Sequence, residues 1–282
     1  MSVALAGVVG LLAVTFVRLA GAGILGAPAL QRRNYRGHLV PTAGGVLLVV
    51  AVLVVEAGRA VLGALGVGEH GGLTLARSEV LFAVFGFGML GLVDDLIGDG
   101  RDRGFRGHVG ALLGGRLTTG FLKLFGGAGV AVVLVATPGF KTGRTLLVDA
   151  LLIALAANLG NLLDRAPGRV AKASLLLYVP LALMLGDSAI GLALAPVMGA
   201  AFGLLGPDLR EGLMLGDAGA NVLGAALGLG VVLGRGEDAR LTVLLALAAL
   251  NLAAEFVSFS TVIDRIAPLR RLDRLGTRPE RG

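Results

Sequence analysis

Four short segments of this 282-residue chain carry side chains able to do polar chemistry. Asp94 and Asp95 stand side by side at the end of the apolar run FGFGMLGLVDD, and Asp99 and Asp102 follow. Adjacent carboxylates at the end of an apolar helix are costly unless water or a ligand receives them. They suit a divalent cation, a proton relay or a phosphate–metal site; a solvated helix end is the plainer account. Asn158, Asn161 and Asp164 recur every three residues in NLGNLLD, which lines them along one helical face. Two amides and a carboxylate there can read a polar ligand by hydrogen bonds, or bond across to a neighbouring helix. Gly216, Asp217, Gly219, Ala220 and Asn221 open another apolar run. Asp217 can simply cap that helix, while small residues around free N–H groups favour an approaching phosphate. The fourth segment, QRRNYRGHLVPTAGG, holds Arg32, Arg33, Arg36 and His38 ahead of Pro41, Thr42, Gly44 and Gly45. Its arginines suit a lipid phosphate, or ordinary anionic headgroups.

These residues must be positioned by membrane helices. Apolar residues make up 55% of the chain and charged residues 16%, against about 25% charged in soluble domains. Mean hydropathy is +0.86. Apolar runs lie near 3–20, 42–66, 79–97, 118–137, 145–163, 171–185, 188–206, 216–234 and 240–263. A bilayer core about 30 Å thick needs about 20 such residues per helix. The expected fold is therefore all-α: one polytopic membrane helix bundle of about nine or ten transmembrane helices over residues 1–282, with a short basic tail from about 265. The first run has no early basic region and no clean cleavage site, so it reads as a span and not a signal peptide.

Charge then orients the bundle. Nineteen of the 25 basic residues fall in or beside the odd-numbered loops and the tail, and six on the other side. The positive-inside rule places the odd loops and the C-terminus in the cytoplasm and the N-terminus outside, as in a multi-pass inner-membrane protein. All four polar segments then share the cytoplasmic face. The same rule accounts for the net charge of +6, so no nucleic-acid partner is expected. The third loop, with Arg106, His108 and Arg116 among Phe105, Val109, Leu112 and Leu113, reads as a short interfacial segment leading to Lys123. No cysteine is present and the histidines are only His38, His70 and His108, far apart in the chain, which excludes a disulfide framework or thiolate metal site and gives no expectation of a clustered His₃ site. Gly86, Gly88 and Gly91 spell G-x-G-x-x-G inside a span; without a preceding strand this is helix packing, not dinucleotide binding.

In this order and at these helix ends, PTAGG at 41–45, GLVDD at 91–95, NLGNLLD at 158–164 and GDAGANVLG at 216–224 resemble the polyprenyl-phosphate N-acetylhexosamine-1-phosphate transferase superfamily. This MraY/WecA-like group includes phospho-N-acetylmuramoyl-pentapeptide transferase, and the resemblance covers roughly residues 32–264. It implies an Mg²⁺-dependent enzyme of the cell envelope. Such an enzyme moves a sugar-1-phosphate from a UDP-sugar to a polyprenyl phosphate such as undecaprenyl phosphate. It further implies that Asp94 and Asp95 match the aspartate pair near acceptor phosphate and metal. Asp217 then matches an aspartate implicated as a magnesium ligand, with Asp95 beside it, between Gly216 and Gly219. Asn158, Asn161 and Asp164 match the nucleotide-sugar pocket, and Arg36 and His38 the basic residues before the Pro-Thr pair. Lys123 joins them as a candidate for the acceptor phosphate.

The sequence departs from the family pattern at three places. Gly98 stands where a lysine often follows the aspartate pair, Pro167 where a second aspartate follows Asp164, and the family's histidine-rich loop is absent. These departures favour one alternative, a non-catalytic relative that binds polyprenyl phosphate or an envelope-synthesis partner. A second alternative is a cation-coupled transporter using Glu56, Glu255 and the helix-end carboxylates. Glu255, one turn beyond Asn251, is expected to face the bundle interior. The small-residue faces permit a homodimer.

Overall fold

The computed structural model describes residues 1–68, 72–98, 119–136 and 142–278. Asp99, Asp102 and the expected interfacial segment of the third loop, with Arg106, His108 and Arg116, lie outside the described residues. The chain runs through α1 (Val3–Ala20), a single turn α2 (Ala22–Leu25), a hairpin of β1 (Gln31–Arg33) and β2 (Leu39–Pro41), then α3 (Gly45–Ala64) and α4 (Leu75–Ile97). It continues through α5 (Thr119–Val135), α6 (Gly143–Leu163), α7 (Arg169–Leu185), α8 (Ala189–Leu209), α9 (Gly216–Gly234) and α10 (Glu237–Ala254). Two short helices, α11 (Phe259–Arg265) and α12 (Ala267–Arg274), close the tail.

Each of the nine apolar runs is helical, yet the runs are not equivalent. Among the described residues, six helices are long and apolar enough to cross a membrane: α1, α3, α4, α6, α8 and α9. A seventh is reached if α10 and α11 form one span, but they are bent by 95° at the break after Ala254. The ninth run is thus not the straight helix expected over 240–263. Helices α5 and α7 have 17 residues each, about 26 Å at 1.5 Å per residue, slightly less than a bilayer core. The narrow break expected at Gly186-Asp187 is present. Gly186 takes the left-handed side of φ at +52°, Ser188 caps α8, and Asp187 accepts the backbone N–H of Val3 at 2.7 Å.

Helix α9 is the axle of the bundle. It packs against α3, α4, α6, α7 and α8, and Ala218, Ala220, Leu223, Ala225 and most of its other residues are fully buried. Its small residues make that possible. A methyl group added at Gly224 would overlap the carbonyl of Ala156, and one at Gly160 the carbonyl of Ala220. Helices α6 and α9 therefore meet backbone to backbone, the arrangement that small residues allow in lipid. Gly91 on α4 meets the carbonyl of Asp217 in the same way.

The connections sort to two ends of the bundle. At one end, Glu56 pairs with Arg59 at 2.7 Å and with Arg77, and Arg240 pairs with Asp149 at 2.8 Å. At the other end the β1–β2 hairpin, the end of α4, the start of α5, the 164–168 turn, the 210–215 loop and the tail all meet.

Replacing Gly224 with Leu is expected to destabilise the bundle by at least about 1–3 kcal/mol, the usual cost of overpacking. Gly58→Ala, where an added methyl meets nothing within 4 Å, should leave the melting temperature in detergent unchanged. Equal melting temperatures for the two variants would remove the backbone contact from this account.

Candidate functional site

The site is built around the start of α9. A helix start exposes four N–H groups without partners inside the helix, and α9 has no side-chain cap of its own because its N-cap position is Leu215. Asp95, from the last turn of α4, supplies the acceptors instead. Its two oxygens take the backbone N–H groups of Asp217 and Ala218, each at 3.0 Å. Gly216 is required beside it: φ is +70°, and a Cβ would meet Asp95 Oδ2 at 2.6 Å. The loop before it is held by β-like bonds. Met214 N–H donates to Pro41, while Gly44 and Gly45 N–H donate to Met214 and Leu215, all at 2.8–2.9 Å. The PTAGG segment thus forms the bed on which the glycine-rich motif rests.

With Asp95 committed to the helix end, the side chain of Asp217 turns to a different set. Lys123 of α5 donates to Asp217 and stands 3.4 Å from Asp94 Oδ2. Asn161 of α6 completes the group in the amide orientation that gives both neighbours a complementary partner. It donates to Asp217 Oδ2 at 3.2 Å and accepts from Lys123 Nζ at 2.7 Å. Four helices therefore contribute one polar side chain each to a partly buried cluster. Two carboxylates and an amide oxygen converge on one cationic point. Such an all-oxygen donor set is what a hard divalent cation takes, with one or two carboxylates and the remainder from phosphate and water. Among the described residues no group of three or more Asp, Glu, His or Cys gathers to hold a metal ion.

Asp164, just past the end of α6, lies behind the cluster. Burial pushes its carboxyl up to about 8, helped by the charges of Asp208 and Asp217 and opposed by the backbone N–H of Gly216. Asp208 is a residue that the sequence reading missed. It is 5% exposed on α8 and accepts the N–H of Gly168 at 3.0 Å, beside Pro167 where the family pattern has its second aspartate. A carboxylate from another helix therefore reaches the turn in which Pro167 replaces the second aspartate.

Other expected residues are engaged elsewhere. Asn158 donates to Asn251 of α10 at 2.6 Å, and Asn251 donates on to the carbonyl of Leu155 at 3.1 Å. This is the inter-helix amide bonding that the spacing also allowed. Arg36 lies 3.1 Å from Glu211 and donates to the carbonyl of Arg278 at 2.9 Å. His38 is exposed, and its backbone N–H donates to Asn34 at 2.9 Å. Asn34 also donates to Glu211 at 2.7 Å, so Asn34 and Glu211, both buried and neither singled out from sequence, fix the hairpin over the 210–215 loop. Arg32 donates to the carbonyl of Leu96 at 2.8 Å and so ties the hairpin to the end of α4. Gly219 packs on Gly45. Glu255, expected to face the interior, is exposed at the end of α10.

No family model matches the chain. A phospho-N-acetylmuramoyl-pentapeptide-transferase of Desulforamulus reducens is 27% identical over 260 aligned residues, which cover 81% of this chain and 72% of that relative. The relative is a transferase, and the similarity extends over most of the bundle.

Metal-free stability should report Asp164. The folded chain holds its proton up to about pH 8 and the unfolded chain releases it near its ordinary value of 3.8, so stability falls as pH rises between these values. Asp164→Asn, which keeps an acceptor for Gly216, is expected to melt higher than the parent by a margin that grows from about pH 5 to about pH 8. A margin independent of pH would remove the assignment.

Proposed function

We propose that this protein is a phosphoglycosyl transferase of the cell envelope. It would move an N-acetylhexosamine-1-phosphate from a UDP-sugar to a polyprenyl phosphate, with Mg²⁺. The observation that carries this reading is the convergence of Asp94, Asn161 and Asp217 on Lys123 at the start of the central helix. The likeness to a named transferase supports it. In this reading all nine helical runs cross or enter the inner membrane, the N-terminus is outside, and the site end of the bundle faces the cytoplasm, where nucleotide sugars are made. The basic residues of the odd loops favour that orientation.

The reaction asks for positioning and charge neutralisation more than for covalent protein chemistry. An oxygen of the lipid phosphate forms a bond to the donor's β-phosphorus. The bond from that phosphorus to the bridging oxygen breaks, and the nucleoside monophosphate leaves with the oxygen. A phosphomonoester is largely dianionic at neutral pH, its second pKa being about 6, so no residue has to remove a proton first. Mg²⁺ would be held by Asp217 and Asp94, and would neutralise charge on the donor diphosphate. Lys123, which reaches both Asp94 and Asp217 from α5, would be the cationic group placed to meet an acceptor phosphate oxygen. Asn161 orients Asp217. Asp95 holds the first N–H groups of α9 in place, so that this helix end faces the phosphates with its geometry fixed. Asp164 and Asp208 line the turn next to Asn161, where the polar part of the donor would lie.

The alternative is a non-catalytic relative that binds polyprenyl phosphate, favoured by Gly98 and Pro167. Asp208 weighs against it, because it supplies a carboxylate beside Pro167. The transporter reading loses Glu56, which is held between Arg59 and Arg77.

Purified protein with undecaprenyl phosphate, Mg²⁺ and a panel of UDP-sugars should release UMP with at least one donor and yield a lipid-linked sugar. Asp217→Asn and Lys123→Met should each lower turnover by at least about a hundredfold, the scale of losing one electrostatic contact to the transition state. Lipid-phosphate binding without UMP release from any donor would establish the non-catalytic reading. Full turnover by Asp217→Asn would remove Asp217 from the metal.

A further inference from the structure

The tail helix α12 has features that the site does not use. It is pinned along one edge: Arg169 forms a two-pronged pair with Asp273 at 2.7 and 2.9 Å. Lys172 donates to the carbonyls of Leu272 at 3.0 Å and Leu275 at 3.3 Å, and to that of Asp273, closing the C-terminal turn as a lysine can. The rest of its circumference is exposed, with Arg274 3.5 Å from Asp264 of α11 and Arg270 donating to the Asp264 carbonyl at 2.8 Å. At 3.6 residues per turn, Arg270, Arg271 and Arg274 share one side and Leu269 and Leu272 lie on the other, with Leu275 just past the helix end. The three leucines are 41%, 41% and 66% exposed. Ahead of them the chain bends by 95° after α10, so that α11 runs across the bundle and not along it, and Phe256 at that bend is 79% exposed.

An eight-residue helix with half-exposed leucines along one side and arginines along the other is suited to the boundary between acyl chains and headgroups. Its position fits as well. It sits at the end of a bundle whose helices are membrane-spanning, where a bilayer surface must lie. The tail over 259–278 carries Arg265, Arg270, Arg271, Arg274 and Arg278 against Asp264 and Asp273, and Asp273 is already neutralised by Arg169. Arginine stems can cover apolar surface while the guanidinium groups reach lipid phosphates. We propose that α12 is a docking surface for an anionic phospholipid leaflet, with Leu269, Leu272 and Leu275 seated among the acyl chains and the arginines among the headgroups. Through Arg169 the helix is joined to the 164–168 turn, so its seat fixes the height of that turn above the headgroups. The inference needs only a membrane-embedded bundle and does not depend on the transferase reading.

The chain has no cysteine, so Leu272→Cys, Leu275→Cys and Arg271→Cys each give one labelling site for a nitroxide. The full chain would be placed in bilayers of phosphatidylcholine, with and without about 30 mol% phosphatidylglycerol. Collision with oxygen and with a water-soluble nickel complex would be measured in each. With the anionic lipid, labels at 272 and 275 should be oxygen-accessible and about twofold or more shielded from nickel, while the label at 271 stays at headgroup depth. High salt, or Arg270, Arg271 and Arg274 all changed to Gln, should reverse the shielding. The proposal is overturned if 272 and 275 remain open to nickel in both bilayers. It is equally overturned if they are shielded to the same degree in both bilayers and in detergent, which would mean they pack on protein. Should the triple variant not yield monodisperse protein, the lipid and salt titrations on the single-cysteine proteins decide alone.

Discussion

A helix that begins inside an apolar bundle brings unpaired N–H groups into a medium with no water to receive them. At one end of this protein the problem is solved locally. Ser2, Thr74, Thr142 and Ser188 cap α1, α4, α6 and α8 with their own side chains. At the other end it is solved at a distance. Helix α9 takes its acceptors from Asp95, more than a hundred residues earlier in the chain. The start of α7 takes Asp208, and the start of α3 takes the carbonyls of Met214 and Leu215. Long-range capping ties loops from α3, α4, α6, α8 and α9 into one assembly, and it fixes helix ends relative to one another more tightly than packing alone.

The same device frees the side chains that remain. Asp95 and Asp217 are both near the N–H groups of α9, and either type of residue is an ordinary helix cap. Because Asp95 fills the role, Asp217 can turn toward Lys123 and Asn161. Lys123 is shared between Asp94 and Asp217 in a partly buried place, where charge is weakly screened. The neighbouring Asp164, behind that cluster, holds its proton. The far end of the bundle shows the contrast. There Glu56 has two arginines and Asp149 has Arg240, so charge is closed off within the protein.

The sequence made legible what depends on period and composition. The nine apolar runs are helices because 3.6-residue packing in lipid needs little beyond apolar, small side chains, and the GD motif is recognisable because its glycines are demanded by backbone contact. What stayed hidden depends on direction. Asn158 and Asn161 share a motif and a helical face, yet one faces α10 and the other Lys123, since three residues correspond to 300° and not to a full turn. Asp208 and Glu211 follow an apolar run in GPDLRE and look like a solvated end. Only the packing of α8 against the 164–168 turn and the hairpin buries them. The bend after Ala254 falls inside an apolar run, and Glu255, the residue that closes α10 there, lies exposed instead of inside.

Pro167 illustrates how a motif and its chemistry can part company. In the 164–168 turn the chain passes from Asp164 to Gly168, whose φ of +69° starts α7, and Leu205 and Leu209 close over Gly168 so that no side chain fits there. A proline at 167 stiffens the approach to that left-handed residue. The Gly168 N–H then needs an acceptor, and Asp208 provides it from α8. The buried carboxylate and the rigid turn are thus two halves of one arrangement. Asp164 is held on its other side by the Gly216 N–H. Through these bonds the 164–168 turn, α8 and the start of α9 form a continuous chain of hydrogen bonds. Buried carboxylates from two elements are brought beside Asn161 in this way, even though the local sequence lacks the residue pattern that would advertise them.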